Sequence, residues 1–310
     1  MAESVALFAA GAVLLAVGSE AFVRGLDRLL RATSLKQSFL ARAVPGLRGS
    51  VPAIAIIMSA TLRGRPEIVL GTSIGAFVAN LGLMLALTIL SRPIAGRDPR
   101  LTVDFGLMAG AYFLLWFLCG DSVLNQNDGG VLLFAVVALW VYLFISSNPE
   151  APNPPSTPNR LPLVFAALMA FAGLAGVIGG AESLVPATTE LARAWKVREW
   201  VVSLTLVGAI ASIPGLLAAL QAARRDDPDA AFRITFGGNA LILLLGLGLR
   251  GIMNDKPLGL SERVLLRELP LMGLFVLLVV PLVLSGFRSR RREGFVLLIA
   301  YGFYVVWQLS

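Results

Sequence analysis

Ten apolar stretches follow one another along the chain, near residues 4–27, 38–61, 67–91, 103–119, 130–147, 161–179, 199–223, 230–252, 264–286 and 294–309, separated by clusters of charge, Pro and Gly. A spanning helix needs roughly 20 apolar residues, so 310 residues built this way leave little chain for an aqueous domain. In hydrocarbon the backbone must satisfy its own hydrogen bonds, which selects helices. The sequence predicts an all-α membrane protein of about ten transmembrane helices. Composition agrees, with 57% apolar and only 15% charged residues against about 25% charged in soluble domains. With no histidine and one cysteine, Cys119, zinc sites, His relays, Cys/His nucleophile pairs and an intrachain disulfide fall away. Neither an enzyme activity nor a metal centre nor a cofactor is expected. The net charge of +7 is read as loops held at an anionic leaflet. No basic patch with interleaved aromatics points to nucleic acid.

Orientation follows from the Lys/Arg bias of the loops. Fifteen basic residues, among them Arg24, Arg28, Arg31, Lys36, Arg92, Arg97 and Arg288 to Arg292, fall on one side, and nine, among them Arg63, Arg65, Arg198 and Lys256, on the other. The bias predicts that both termini lie outside the cytoplasm, and the expected location is a prokaryotic inner membrane. The first segment begins Met-Ala-Glu-Ser, without the basic start and small-residue cleavage site of a secretory signal, and is expected to be retained. A proline-rich stretch, 147–159, cannot continue a helix. The expected organisation is a first unit over 1–147, a cytoplasmic linker over 148–160 and a second unit over 161–310.

Sliding the sequence along itself aligns 18–75 with 180–237 without a gap, giving 13 identities in 58 positions. The matched types are the informative part: Gly18/Gly180, Glu20/Glu182, Gly46/Gly208, Ser50/Ser212, Pro52/Pro214, Pro66/Pro228 and Gly75/Gly237. Each half contains five crossings, an odd number, so the copies lie in the membrane with opposite orientation. Such inverted repeats build secondary transporters, whose sites form at the midplane from interrupted helices. Gly46 to Pro52 and Gly208 to Pro214 are expected to interrupt the second and seventh crossings. The same residue types also serve plain close packing and kinks.

The motifs resemble those of the sodium/calcium and cation/calcium exchangers, in which each half carries a run like A-x-G-T-S-x-P-E and then G-x-x-x-G-S-N-x-x-N/D. The first half reads Arg48-Gly49-Ser50-Val51-Pro52-Ala53 and Gly71-Thr72-Ser73-Ile74-Gly75-Ala76-Phe77-Val78-Ala79-Asn80; the second reads Ile210-Ala211-Ser212-Ile213-Pro214-Gly215 and Phe236-Gly237-Gly238-Asn239-Ala240-Leu241-Ile242. Flanking similarities are Glu20 and Glu182 in the first helix of each half, the acids Asp104 and Glu268 opening the fourth, and Arg292-Glu293-Gly294 before the last. The resemblance implies a sodium/calcium exchanger-like fold of two inverted five-helix repeats. It also implies alternating access at a site formed by helices two, three, seven and eight. The departures are systematic. The family's two motif glutamates are the principal cation ligands, and here they are Ala53 and Gly215.

The residues left to form a substrate or ion site are Arg48, Gly49, Ser50, Pro52, Thr72, Ser73, Asn80, Ser212, Pro214 and Asn239, with Glu20 and Glu182 as structural or gating residues. Calcium takes six to eight hard oxygens including carboxylates, so ordinary calcium exchange is not expected. A monovalent cation can be held by carbonyls and hydroxyls, and an anionic solute can be read by Arg48. Arg48 is expected to project close to the site, either paired with Glu20 or Glu182 as a built-in cation or facing a wet cavity. Glu20 and Glu182 are also expected near Arg24 and Arg193. The partners expected are the lipid bilayer and a small ion or solute, with no nucleic acid. A transport-inactive homologue acting as a membrane scaffold or partner protein is the alternative. The tryptophans read as interface anchors, and Arg288 to Arg292 as a topogenic cluster.

Overall fold

The computed structural model describes residues 2–33, 35–147, 160–254 and 256–309. The expected linker lies almost entirely outside the described residues. Ten helices run antiparallel in sequence: α1 (Ala2–Arg31), α2 (Gln37–Leu62), α3 (Pro66–Ser91), α4 (Leu101–Leu118), α5 (Gln126–Ile145), α6 (Arg160–Trp195), α7 (Glu199–Arg224), α8 (Pro228–Met253), α9 (Val264–Leu284) and α10 (Arg291–Leu309). Among the described residues nine are long and apolar enough to cross a membrane. The tenth, α10, opens with Arg291, Arg292 and Glu293, which shortens its apolar run. Gly294 brings α10 against Ala86 and Leu90 of α3.

Local sequence sets the helix starts. Pro66 and Pro228 sit in the first turns of α3 and α8, where a missing N–H costs nothing. Asn125 and Asp128 form a reciprocal capping box at the start of α5. Gly64 after α2 and Asp226 after α7, which occupy equivalent places in the two halves, both hold positive φ (63° and 59°). Asp can occupy this region at modest cost.

One face of the molecule carries the connections 32–36, 92–100, 225–227 and 285–290, and the second face carries 63–65, 119–125, 196–198 and 254–263. Each face has its own small antiparallel tie. Val123–Leu124 pairs with Leu258–Gly259 on the second face, and Ala95 bridges Arg288 on the first.

The longest helices, α1 and α6, pack on each other as an arm beside the core. Gly11, Gly18 and Gly25 repeat every seven residues; Gly11 meets Gly180, Gly18 meets Gly173 and Gly176, and Gly25 meets Ala166 and Ala170. A Cβ on Gly18 would lie 2.7 Å from the Gly176 carbonyl carbon, and one on Gly180 would lie 2.6 Å from the Leu15 nitrogen. α6 therefore continues to Trp195 rather than ending near 179. Gly179 and Gly180 lie on the α1 contact and break nothing.

Inside the arm, α3 and α8 are the enclosed pair: 83% of the apolar window of each is buried, against 22% for α5. α2 meets α8 where Gly46 faces Gly237 and Gly49 faces Gly238. α3 meets α7 where Gly75 faces Gly208 and Leu204. The repeat turns Gly46 into Gly208 and Gly75 into Gly237, which converts the first contact into the second, so the two halves interlock through equivalent glycines.

The second and seventh helices are not interrupted. α2 runs unbroken through Pro45 and Pro52, and α7 runs through Pro214. Each proline instead leaves the carbonyl four residues earlier without its helical donor. Helical geometry changes elsewhere, in π-turns at Asn80–Met84 and at its repeat equivalent Ile242–Gly246, and in two more at Ser203–Val207 and Val264–Glu268.

Replacing Gly18 by Val should destabilise the protein by at least about 1–3 kcal/mol, the usual cost of overpacking, because the clash is with backbone. Gly110→Ala, where nothing lies within 4 Å of the added Cβ, should be neutral. Thermal unfolding in detergent compares the two directly.

Candidate functional site

At the centre, α3 and α8 meet through their side-chain amides. Asn80 Nδ2 donates to Asn239 Oδ1 at 2.8 Å and lies 3.4 Å from the Gly49 carbonyl. Asn239 Nδ2 donates to the Phe77 carbonyl at 3.1 Å and touches Met108 Sδ at 3.8 Å. Both asparagines are fully buried. Asn80 Oδ1 has no partner among the described residues, and an unmet buried acceptor costs about 1–3 kcal/mol.

The hydroxyls are spent locally. Ser50 Oγ donates to the Gly46 carbonyl and Ser212 Oγ to the Gly208 carbonyl, each at 3.0 Å, as repeat-related copies of one arrangement. Ser73 Oγ donates to the Val69 carbonyl at 2.7 Å. Thr72 Oγ1 is buried without a partner among the described residues. Gly49 lies against α8 at Gly238 and at the Ile234 carbonyl, so no side chain fits there. Pro52 and Pro214 are buried and leave the Arg48 and Ile210 carbonyls without helical donors. Where a Cβ on Gly215 would stand, Met84 Sδ is 2.9 Å away, the Gly49 Cα 3.2 Å and the Arg48 carbonyl oxygen 3.6 Å. The methionine thioether therefore fills the space into which a side chain at 215 would project.

Arg48 stands on the side of α2 away from the α8 contact. Gly46 and Gly49 meet α8, whereas Leu47, Val51 and Ile54 line an outer groove. At about 100° per residue, Arg48 stands roughly 200° round the helix from Gly46 and from Ser50. Its carbonyl faces Gly215 of α7. Nor does it pair with either glutamate. Glu20 is bonded to Arg24, while Glu182 accepts from Ser59 Oγ at 2.6 Å and from Arg63, not from Arg193. Arg48 Nε is buried without a partner among the described residues.

A buried cluster of charge lies one layer towards the first face. Arg42 Nη2 donates to Asp104 Oδ1 at 2.6 Å and Nη1 to Ser146 Oγ at 2.7 Å. Arg233 Nε donates to Asp104 Oδ2 at 3.2 Å, and its other end pairs with Asp98. Arg42, Asp104 and Arg233 line one side of a half-open pocket of about 30 Å³, bounded also by Gly46, Gly237, Leu139 and Trp140. The second half places its own buried acid, Glu268, under the two bonds of Gln308 Nε2, at 2.9 and 2.8 Å, with Arg263 Nε at 3.4 Å. Asp104 and Glu268 were legible as the acids opening the fourth helices. Arg42 and Arg233 were not assigned to them, because Asp104 is 62 residues from the first and 129 residues from the second along the chain.

Ion pairs also tie the connections on both faces. Arg97 and Arg92 hold Asp226 on the first, and Arg65–Glu199 and Arg198–Glu67 cross on the second. The hydrogen bond and charge of Arg97 hold the Asp226 carboxyl below its ordinary value. Burial pushes Asp98 up, but the Arg100 N–H and the Arg233 charge outweigh it and leave it lowered too.

Two outcomes follow. Asp104→Ala leaves the buried Arg42 guanidinium without a carboxylate and removes one of the two that hold Arg233, and should cost about 3–5 kcal/mol, whereas an exposed pair such as Arg198–Glu67 should cost at most about 1 kcal/mol when broken; chemical or thermal unfolding in detergent separates them. The Asp98 and Asp226 contributions are complete above the unfolded carboxylate pKa of about 3.9 and are lost as pH falls through the lower folded values. Hydrogen exchange in 92–100 and 225–229 should therefore rise only below about pH 4.

Comparison with known proteins accounts for this arrangement. The uncharacterized membrane protein MJ0091 of Methanocaldococcus jannaschii is 28% identical over 281 residues, covering 88% of this chain and 89% of its own. The sodium/calcium exchanger MaX1 of Methanosarcina acetivorans is 23% identical, covering 96% and 95%. A solved structure of the sodium-calcium exchanger NCX_Mj, soaked with 10 mM Na+ and zero Ca2+, has the same fold, with a TM-score of 0.72 at 24% identity and 98% of both chains covered. The family described as sodium/calcium exchanger protein matches residues 3–147 and 165–310. This chain, an integral membrane protein of two inverted five-helix repeats, belongs to the sodium/calcium exchanger family.

Proposed function

We propose that the chain is an alternating-access transporter whose midplane site, formed by α2, α3, α7 and α8, takes a monovalent cation such as sodium instead of calcium. The relatives support transport in general: one is named a sodium/calcium exchanger, and a protein of Alkalimonas amylolytica, 25% identical with 94% of both chains covered, is named putative antiporter CaxA. The observation that carries the narrower reading is the buried, unpartnered Asn80 Oδ1. The four helices carry further neutral oxygens, on Ser50, Ser212 and Thr72 and at the carbonyls released by Pro52 and Pro214. Such a set can replace the shell of a singly charged ion but not the carboxylates that calcium requires. Among the described residues no cluster of three His, Cys, Asp or Glu is placed to hold a metal. An anionic solute is less well supported, because Arg48 stands on the side of α2 away from the α8 contact. In this reading Glu20 and Glu182 stabilise the arm and the rim rather than bind cargo. The first face, with its surplus of Lys and Arg, is cytoplasmic, in a prokaryotic inner membrane, and both termini lie on the other side.

A second reading has an observation in its favour. Gly49 against Gly238 and Met84 in the space beside Gly215 leave a closed centre, as in a transport-inactive scaffold.

Proteoliposomes discriminate. A sodium gradient should drive counterflow of labelled sodium that external calcium does not inhibit, and Asn80→Ala should reduce it at least about tenfold, the equivalent of one lost ligand contact of about 1.4 kcal/mol. Calcium accumulation driven by a sodium or proton gradient would overturn the monovalent reading. Folded protein that moves no cation would favour the scaffold. Because Met84 fills the space beside residue 215, the Ala53→Glu/Gly215→Glu double variant should still fail to bind calcium, and addition of Met84→Ala should restore calcium binding, measurable by isothermal titration.

A further inference from the structure

The arm does not seal against the core along its whole length. Two apolar cavities, of about 510 and 380 Å³, share Leu47 and Trp140 and join into one groove bounded by α1, α2, α5 and α6. The groove follows α2 from Phe39 to Leu62, which at 1.5 Å per residue is roughly 35 Å, about the hydrocarbon thickness of a bilayer. Its walls are apolar except at the second face, where Ser59 and Glu182 close it. There the Glu182 charge is met by Arg63.

The mouth at the first face carries a charge, Lys36, with no carboxylate partner among the described residues. Lys36 follows the groove-lining Leu35, and its Nζ lies 4.8 Å over the ring of Phe144, another wall residue. Its remaining contacts are with two carbonyls, of Phe144 and Ser147, at 3.4 Å. No carboxylate pairs with it among the described residues. A long apolar slot with a lone ammonium at one mouth matches a molecule having a hydrocarbon tail and an anionic head. An apolar helix from a second copy can match the walls but offers Lys36 nothing.

We infer that the groove is a binding site for one anionic phospholipid, its acyl chain lying along α2 and its phosphate at Lys36. The lipid completes the packing between the α1–α6 arm and the core, and its head is drawn from the leaflet at which basic residues collect. This inference does not depend on which ion the midplane takes.

The full chain, delipidated in mild detergent, tests it with phosphatidylglycerol and phosphatidylcholine as probes, read by melting temperature and native mass spectrometry. Phosphatidylglycerol should remain as a one-to-one adduct and raise the melting temperature by several degrees more than phosphatidylcholine. Lys36→Gln should abolish that difference without changing the melting temperature of the lipid-free protein. Ala43→Trp, which fills the groove wall, should lose retention of both lipids. Equal effects of the two lipids on the wild type, or a phosphatidylglycerol preference that survives Lys36→Gln, would overturn the assignment. So would a lipid-free dimer crosslinked through Trp140 and Val141.

Discussion

Contact between glycine backbones holds this molecule together. Within a bilayer there is no hydrophobic drive to bring two apolar helices together, so cohesion comes from van der Waals contact and interhelical polar bonds, both of which require close approach. Gly46 against Gly237 and Gly75 against Gly208 supply it in the core, and Gly11 and Gly18 against Gly173, Gly176 and Gly180, with Gly25 against Ala166 and Ala170, supply it in the arm. The core contacts are copies of each other under the internal repeat, so one geometric solution serves both halves.

Close approach also decides where polarity is allowed. The layer at Asn80 and Asn239 is neutral, and its amides are held by each other and by backbone. Charge is displaced outward to Asp104, shared by Arg42 and Arg233, and to Glu268 under Gln308. A buried carboxylate shared by two guanidiniums avoids the several kcal/mol that an unpaired ion incurs. The result is a centre able to offer oxygens but no net negative charge, enclosed by ion pairs on either face. The family fold persists with Ala53 on α2, Gly215 on α7 and the sulfur of Met84 beside Gly215.

Several features were readable along the chain because they are periodic or compositional. The apolar runs marked the helices, and the matched Gly, Ser and Pro pairs exposed the repeat. Arg48 shows where such reading ends. Beside a motif in sequence, it is about 200° away from Gly46 and Ser50 on the helix, so proximity in sequence did not become proximity in space. Met84 carried no signal at all, since a methionine in an apolar helix looks like any other. Its importance arises from a π-turn that aims it at Gly215, on a helix of the opposite half. The prolines misled in the opposite direction: Pro52 and Pro214 loosened single carbonyls without breaking their helices, because neighbouring helices hold both sides of each proline in place.

The amino-acid sequence by itself determined the class of protein, the number and order of its helices, the twofold internal relation and the absence of acid from 38–61, 68–91, 201–223 and 230–249. These depend on hydropathy, on length and on residue type, which are properties of the chain taken locally. Only the tertiary structure decided that Asn80 bonds Asn239, that Arg42 and Arg233 share Asp104, that Arg48 pairs with neither Glu20 nor Glu182 and that a sulfur fills the space beside Gly215. Each of those depends on the rotation and depth of one helix against another, which is set by where glycine permits backbones to touch.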